Sequence, residues 1–144
     1  MKRKILPLIA ALLMILILGS AHAETWLDNY AAQVVQETNY ERTSRGLNAL
    51  RVDAELMRAA RLRAQEIAQK FSHTRPDGSS WRTVSSGAYG ENIARGQKTP
   101  DKAVAAWMTS EGHRRNILRE NYSSIGVACL KSGNVYYWVQ IFGK

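Results

Sequence analysis

The sequence predicts an α+β protein folded as a three-layer α-β-α sandwich without disulfides. Three observations carry this reading. Two C-terminal runs, Ile125 to Leu130 and Val135 to Phe142, are apolar on both faces, the pattern of strands covered from above and below. Upstream of them, apolar residues recur at helical spacing in several segments that can supply the covering layers. Cys129 is the only cysteine among 144 residues, so no bridge can form within the chain and stability must come from packing.

At the N-terminus, Lys2, Arg3 and Lys4 precede an apolar run from Ile5 to Gly19 that closes on Ala21-His22-Ala23, the layout of a signal peptide. The expected cut lies between Ala23 and Glu24, making residues 1–23 a signal peptide and 24–144 one domain. An uncleaved anchor is the alternative, and Pro7 and the A-x-A ending both argue against it. Cleavage removes three basic residues and lowers the formal charge from +8 to +5. The remaining basic residues are scattered among acidic ones with no stacking aromatics between them. That argues against a nucleic-acid partner and leaves solubility or attraction to an anionic envelope. The processed protein is expected to be secreted or periplasmic, with no transmembrane span.

From Leu27, apolar side chains recur at Tyr30, Ala31, Val34 and Val35, predicting an amphipathic helix that ends near Gly46. A second helix is predicted with Asp53 as N-cap and Leu56, Ala59, Ala60, Ala64, Ile67, Ala68 and Phe71 on its core face. Residues 72–90 are rich in Ser, Thr and Gly, and Pro76-Asp77-Gly78 marks a turn within them, so the segment reads as loop. Thr99-Pro100-Asp101 signals a third helix start, with Ala103, Val104, Trp107 and Met108 directed inward. Gly112 is expected to interrupt that helix before a short one from His113 to Arg119. The two strands follow, joined through Lys131-Ser132-Gly133-Asn134. Cys129, within Gly126-Val127-Ala128-Cys129-Leu130, reads as an inert interior thiol.

Chemistry-bearing residues gather in three segments read as irregular, Gly-flanked backbone: Phe71-Ser72-His73-Thr74-Arg75-Pro76-Asp77-Gly78, Tyr89-Gly90-Glu91-Asn92-Ile93-Ala94, and Trp107 to Leu118 with Ser110, Glu111 and His113 inside it. In this order and spacing they closely resemble the CAP superfamily, named for cysteine-rich secretory proteins, antigen 5 and pathogenesis-related 1 proteins. Asn39 to Arg42 followed by Gly46-Leu47 and Leu50, and the run Ile125-Gly126-Val127-Ala128, extend the likeness over nearly the whole mature chain. The compact form without cystines resembles bacterial members. The resemblance implies a broad cleft in which two histidines and one or two glutamates meet, and places His73, Glu91 and His113 in those roles. Two imidazoles and a carboxylate suit Zn²⁺ or another divalent metal, with a position left for water or ligand. Taken singly, each residue also reads as a loop tie: His73 on the Pro76 turn, Glu91 on backbone amides, His113 at its helix end.

Longer family members carry a second Glu three residues after the helix tryptophan, where this chain has Ser110. Glu111 comes one position late, and one residue turns a helical side chain by about 100°. Ser110 is therefore a candidate to line the cleft, its other reading being a helix-end hydroxyl bonded to its own backbone. Ser72 beside His73 does not make a nucleophile-base pair, since no third orienting acid is identifiable and adjacency in sequence is not geometry. Trp81, in the loop after the turn, reads as the best exposed aromatic contact. Arg114 and Arg115 read as solvated surface or as anion-attracting groups at a helix start.

Three function classes follow. The first is a secreted binding module whose cleft holds a metal, a small ligand, a lipid or a partner segment. The second is a metal-dependent hydrolase in which Glu91 acts as general base toward water polarised by metal on His73 and His113, although no H-E-x-x-H helix is present. The third is a cell-envelope structural or interaction protein that uses surface charge and no chemistry, so catalysis is the less favoured expectation.

Overall fold

A computed structural model describes residues 23–144; residues 1–22 of the expected signal peptide lie outside the described residues. The elements run β1 (Glu24–Trp26), α1 (Asp28–Thr43), β2 (Arg51–Val52), α2 (Ala54–Gln69), a 3-10 turn (Trp81–Val84), β3 (Gly90–Arg95), α3 (Pro100–Thr109), α4 (Glu111–Ile117), β4 (Ser124–Ser132) and β5 (Val135–Gly143). The sheet path is β1-β4-β5-β3, with β2 pairing in parallel to the start of β4.

The α-β-α sandwich forms as the two-faced strands require. On one face Ile125, Val127, Cys129, Trp138 and Phe142 pack against Ala31 and Val34 of α1 and Ala103, Val104 and Trp107 of α3. On the other, Ala128, Leu130, Val139 and Ile141 pack against Leu56, Ala60, Ala64 and Ile67 of α2. This is the period-2 alternation of a strand expressed twice over, each face finding its own helical layer. Trp107, Val127, Cys129 and Trp138 are all buried, and burial pushes the Cys129 thiol up to about 12.

Local signals act as their chemistry dictates. Asp53 caps α2 by accepting from the Leu56 amide at 3.0 Å. Gly46, at φ 77, lets the chain turn sharply after α1. Gly126 admits α2 to the sheet: a Cβ there would lie 2.1 Å from the Leu56 backbone. Where the outer edge of β4 is left open between β1 and β2, the Met57 thioether accepts from the Val127 amide at 3.2 Å and the Leu27 amide donates to Cys129 O at 3.0 Å.

Four expectations are corrected. Tyr89 to Ala94 is not irregular: Gly90–Arg95 pairs antiparallel with β5, so Glu91 projects from a strand opposite Ile141. The break between α3 and α4 falls at Ser110, whose backbone is extended, while Gly112 sits inside α4; glycine is tolerated in a first turn and breaks nothing there. Phe71 lies past the end of α2, 42% exposed, with the Arg95 guanidinium over its ring, because α2 stops at Gln69. Lys131 and Ser132 belong to β4, and only Gly133-Asn134 forms the turn, with Gly133 at φ 58.

Candidate functional site

The site is built at the free edge of the sheet. β3 is an outer strand, and side chains of the helical layer cap its outward carbonyls: Asn116 Nδ2 donates to Glu91 O at 3.2 Å, and Trp107 Nε1 to Ile93 O at 3.1 Å. Successive β3 side chains then face opposite layers. Asn92 turns toward α1, donating to Gln140 Oε1 at 3.0 Å, and Gln140 in turn donates to Thr38 Oγ1 at 2.7 Å. Glu91 turns toward α2, where the buried Arg63 waits.

Arg63 is the hub of that side. Its Nε donates to Glu91 Oε2 at 2.6 Å, one terminal nitrogen to Glu66 Oε2 at 2.5 Å, and the other to Glu91 Oε1 at 3.2 Å and to Ser72 O at 2.7 Å. Arg75 grips Glu66 from the loop, with Nη2 2.8 Å from Oε1. Burial alone would lower Arg63 and raise Glu66; the hydrogen bonds outweigh it, holding Arg63 above its ordinary range and Glu66 below the usual carboxylate range. Glu66 is held as an anion because two guanidiniums, Arg75 and Arg63, donate to its oxygens.

Glu91 also holds His73. The imidazole Nδ1 lies 2.7 Å from Glu91 Oε1, with the His73 side chain 53% exposed and the Glu91 side chain fully buried. The Trp81 amide donates to His73 O at 3.0 Å, and Arg63 fixes the preceding carbonyl, so the loop backbone is tied on both sides of the ring. With Nδ1 engaged by the carboxylate, Nε2 is left toward solvent.

The four residues predicted for one cleft divide between two hollows. His73 and Glu91 line a hollow of about 360 Å³ together with Trp81, Arg82, Asn116 and Arg119. Ser110 and His113 line another of about 300 Å³ beside Phe71 and Trp107. Burial first, and then the charge of nearby His73, lowers the His113 imidazole from its ordinary range. Glu111 is 92% exposed and lines neither hollow. Trp81 does border the site, with its ring covered by the Arg82 guanidinium at 5.0 Å.

A metal shell of His73, Glu91 and His113 does not fit as formed. Both Glu91 oxygens are committed to Arg63 and His73, and among the described residues no group of three His, Cys, Asp or Glu side chains is placed to hold an ion. The Ser72 hydroxyl accepts from the Thr74 amide at 3.0 Å, and among the described residues neither it nor Ser110 bonds an imidazole. Sequence reasoning missed Arg63, Glu66 and Arg119, and gave no role to Arg75 and Asn116 although both fall within the segments it singled out. A signal was available for two of them: Arg63 and Glu66 fall three apart within the apolar stripe of α2, where charge is expected only if paired.

Comparison with known proteins agrees with this fold. A Bacillus subtilis protein, YkwD, is 44% identical over 126 residues, covering 78% of this chain and 46% of its own length, so the chain spans about half of that relative. An extracellular protein containing an SCP domain from Bacillus anthracis superposes with a TM-score of 0.70 at 26% identity, over 81% of this chain and 41% of that one. An outer surface protein from Borrelia burgdorferi shares the fold, with a TM-score of 0.73 at 20% identity over 85% of this chain and 98% of its own. The family model of the cysteine-rich secretory proteins, CAP, matches residues 35–142, and the chain belongs to that family.

Proposed function

We propose that the protein is an exported binding module whose ligand sits in the hollow over His73. One observation supports the reading above others: a half-exposed imidazole, held from behind by a buried Glu91–Arg63 pair, stands at the floor of a 360 Å³ hollow beside no bonded nucleophile. Such a ring is oriented to receive or offer one hydrogen bond through Nε2. Export accords with relatives described as an extracellular and an outer surface protein, and no helix among the described residues is long and apolar enough to cross a membrane. The test is two-dimensional NMR of the protein titrated with a library of small neutral polar fragments. Shifts should cluster on His73, Trp81 and Asn116 and vanish in His73→Ala; hits confined to other surfaces would sink the reading.

The His73–Glu91 bond favours a second reading, in which a divalent metal is held by His73 Nε2 and His113 with Glu91 orienting the first ring from outside the ligand set. When bound, the metal would polarise a water or ligand oxygen. In a hydrolase of that kind Glu91 is poorly suited as general base, since it is buried and already paired with Arg63. Zinc calorimetry decides: affinity that falls in both His73→Ala and His113→Ala supports the two-imidazole site, and equal affinity in all three proteins removes it.

A further inference from the structure

We propose that the hollow over His73 is a phosphate-ester site, in which Arg82 and Arg119 clamp the phosphate of a small hydroxylated compound such as a sugar or polyol phosphate. The inference rests on the binding reading above and assigns the class of ligand. The two arginines reach the hollow from separate segments, Arg82 from the 3-10 turn and Arg119 from the chain leaving α4. Six other arginines, Arg45, Arg51, Arg61, Arg63, Arg75 and Arg115, lie within ion-pair distance of carboxylates. Among the described residues Arg42, Arg58, Arg82, Arg95, Arg114 and Arg119 have no such partner, and of these Arg82 and Arg119 are the two that line the hollow. The one carboxylate in the hollow, Glu91, is neutralised from behind by Arg63, so the mouth is left net cationic.

The aromatic rings support the cations rather than a sugar face. Arg82 lies over Trp81 with its Cζ 5.0 Å from the ring centre, Arg119 over Tyr122 at 5.5 Å, and the Lys144 ammonium over Tyr89 at 4.6 Å. A guanidinium held over a ring keeps N–H groups free on its outer side to receive an oxyanion. Burial raises the Tyr122 phenol above its ordinary range and the charges of Arg119 and Arg82 both oppose that, so both guanidiniums lie within electrostatic reach of this lining residue. Arg119 is not loosely hung: its own carbonyl accepts from Arg42 at 2.9 Å.

Two forks arriving from different walls select the anion's shape. A planar carboxylate is satisfied by a single guanidinium fork, whereas a tetrahedral phosphate presents oxygens in several directions and takes both. The remaining contacts suit hydroxyls. Asn116 spends its amide hydrogens on Glu91 O and Asn92 Oδ1, leaving its own carbonyl oxygen as an acceptor, and His73 offers Nε2. A hollow of about 360 Å³ holds a phosphate and a compact polar body.

The experiment is titration calorimetry of the full protein with glycerol 3-phosphate, inorganic phosphate and acetate, at constant ionic strength and with chelator present. Expected are saturable binding of one glycerol 3-phosphate, weaker inorganic phosphate, and acetate at least tenfold weaker than the ester. Arg82→Gln and Arg119→Gln, both at exposed side chains, should each lower ester affinity about tenfold or more, the loss typical of a charge-assisted contact, while Lys98→Gln, which lines no part of the hollow, leaves it unchanged. Inorganic phosphate binding as well as the ester would leave the clamp and overturn the hydroxylated body. No binding by wild type, unchanged affinity in both arginine variants, or acetate matching phosphate would overturn the proposal. Neither variant touches the His73–Glu91 pair. Failure here with neutral fragments still shifting His73 removes the phosphate clamp alone, and failure of both removes the binding reading as well.

Discussion

Two buried arginines sit on opposite sides of the sheet, and they are neutralised by different means. Arg42, at the end of α1, meets no carboxylate within the described residues. It donates instead to four backbone carbonyls, Asn48 O at 2.9 Å, Ile117 O at 2.8 Å, Arg119 O at 2.9 Å and Tyr122 O at 3.3 Å. Arg63, on α2, meets two carboxylates and one carbonyl. Burial lowers Arg42 from its ordinary range, whereas Arg63, equally enclosed, is raised. Backbone dipoles fix where a loop runs and are indifferent to pH. Carboxylates join side chains from a helix, a strand and a loop, and they titrate. The α1 side is thus a device for holding shape, and the α2 side a device for placing the His73 ring.

The sharpest way to break that contrast is Arg63→Met. Removing it leaves two buried carboxylates without their main partner, and a loss of about 3 to 5 kcal/mol is expected at pH 7 in urea denaturation. Because Glu66 is held below its unfolded value near 4.3, the stability it contributes is present above that value. It is lost as pH falls through the lower folded value. The gap between wild type and Arg63→Met should therefore narrow below about pH 4. A gap that is constant with pH would erase the distinction drawn between the two sides. Arg42→Met is expected to cost about 2 to 4 kcal/mol through carbonyls left unbonded, with the same cost at pH 4 and pH 7. Arg42→Lys should recover little of it, since one ammonium cannot reach carbonyls on both loops as the planar fork does. Full recovery by lysine would show that charge alone matters there.

The smallest effect concerns His113, which borders the second hollow. Its folded imidazole titrates below the unfolded value near 6.5, so the unfolded chain takes up a proton first as pH falls. Stability should drop across the window from the unfolded value near 6.5 down to the folded value, and His113→Gln should flatten that slope. An unchanged slope in the variant would assign the pH dependence to another group.

How much of this was legible beforehand differs between fold and site. The two-faced strands at 125–130 and 135–142, the Asp53 cap and the Thr99-Pro100 helix start were all readable, because burial pattern and capping are local. Strand β3 was not, since Gly90, Glu91 and Asn92 carry weak strand propensity and are held extended by pairing with β5, a partner about 50 positions away. For the site, His73 and Glu91 were named and are in contact. The role given to Glu91 as a direct ligand required knowing that Arg63 stands behind it, and no spacing along the chain places residue 63 beside residue 91. The helix register could have raised the question, because a charge inside an apolar stripe demands an acid from elsewhere.

The sealed position of Cys129 has a practical consequence. With its thiol pushed up to about 12 and its side chain 1% exposed, the thiolate fraction at pH 8 is on the order of one in ten thousand, even before access is considered. Maleimide or spin-label reagents should pass over the native chain. A cysteine introduced anywhere on the surface would then be the single reactive handle, so a fluorophore or nitroxide can be placed at the rim of either hollow without first removing the native thiol from the core.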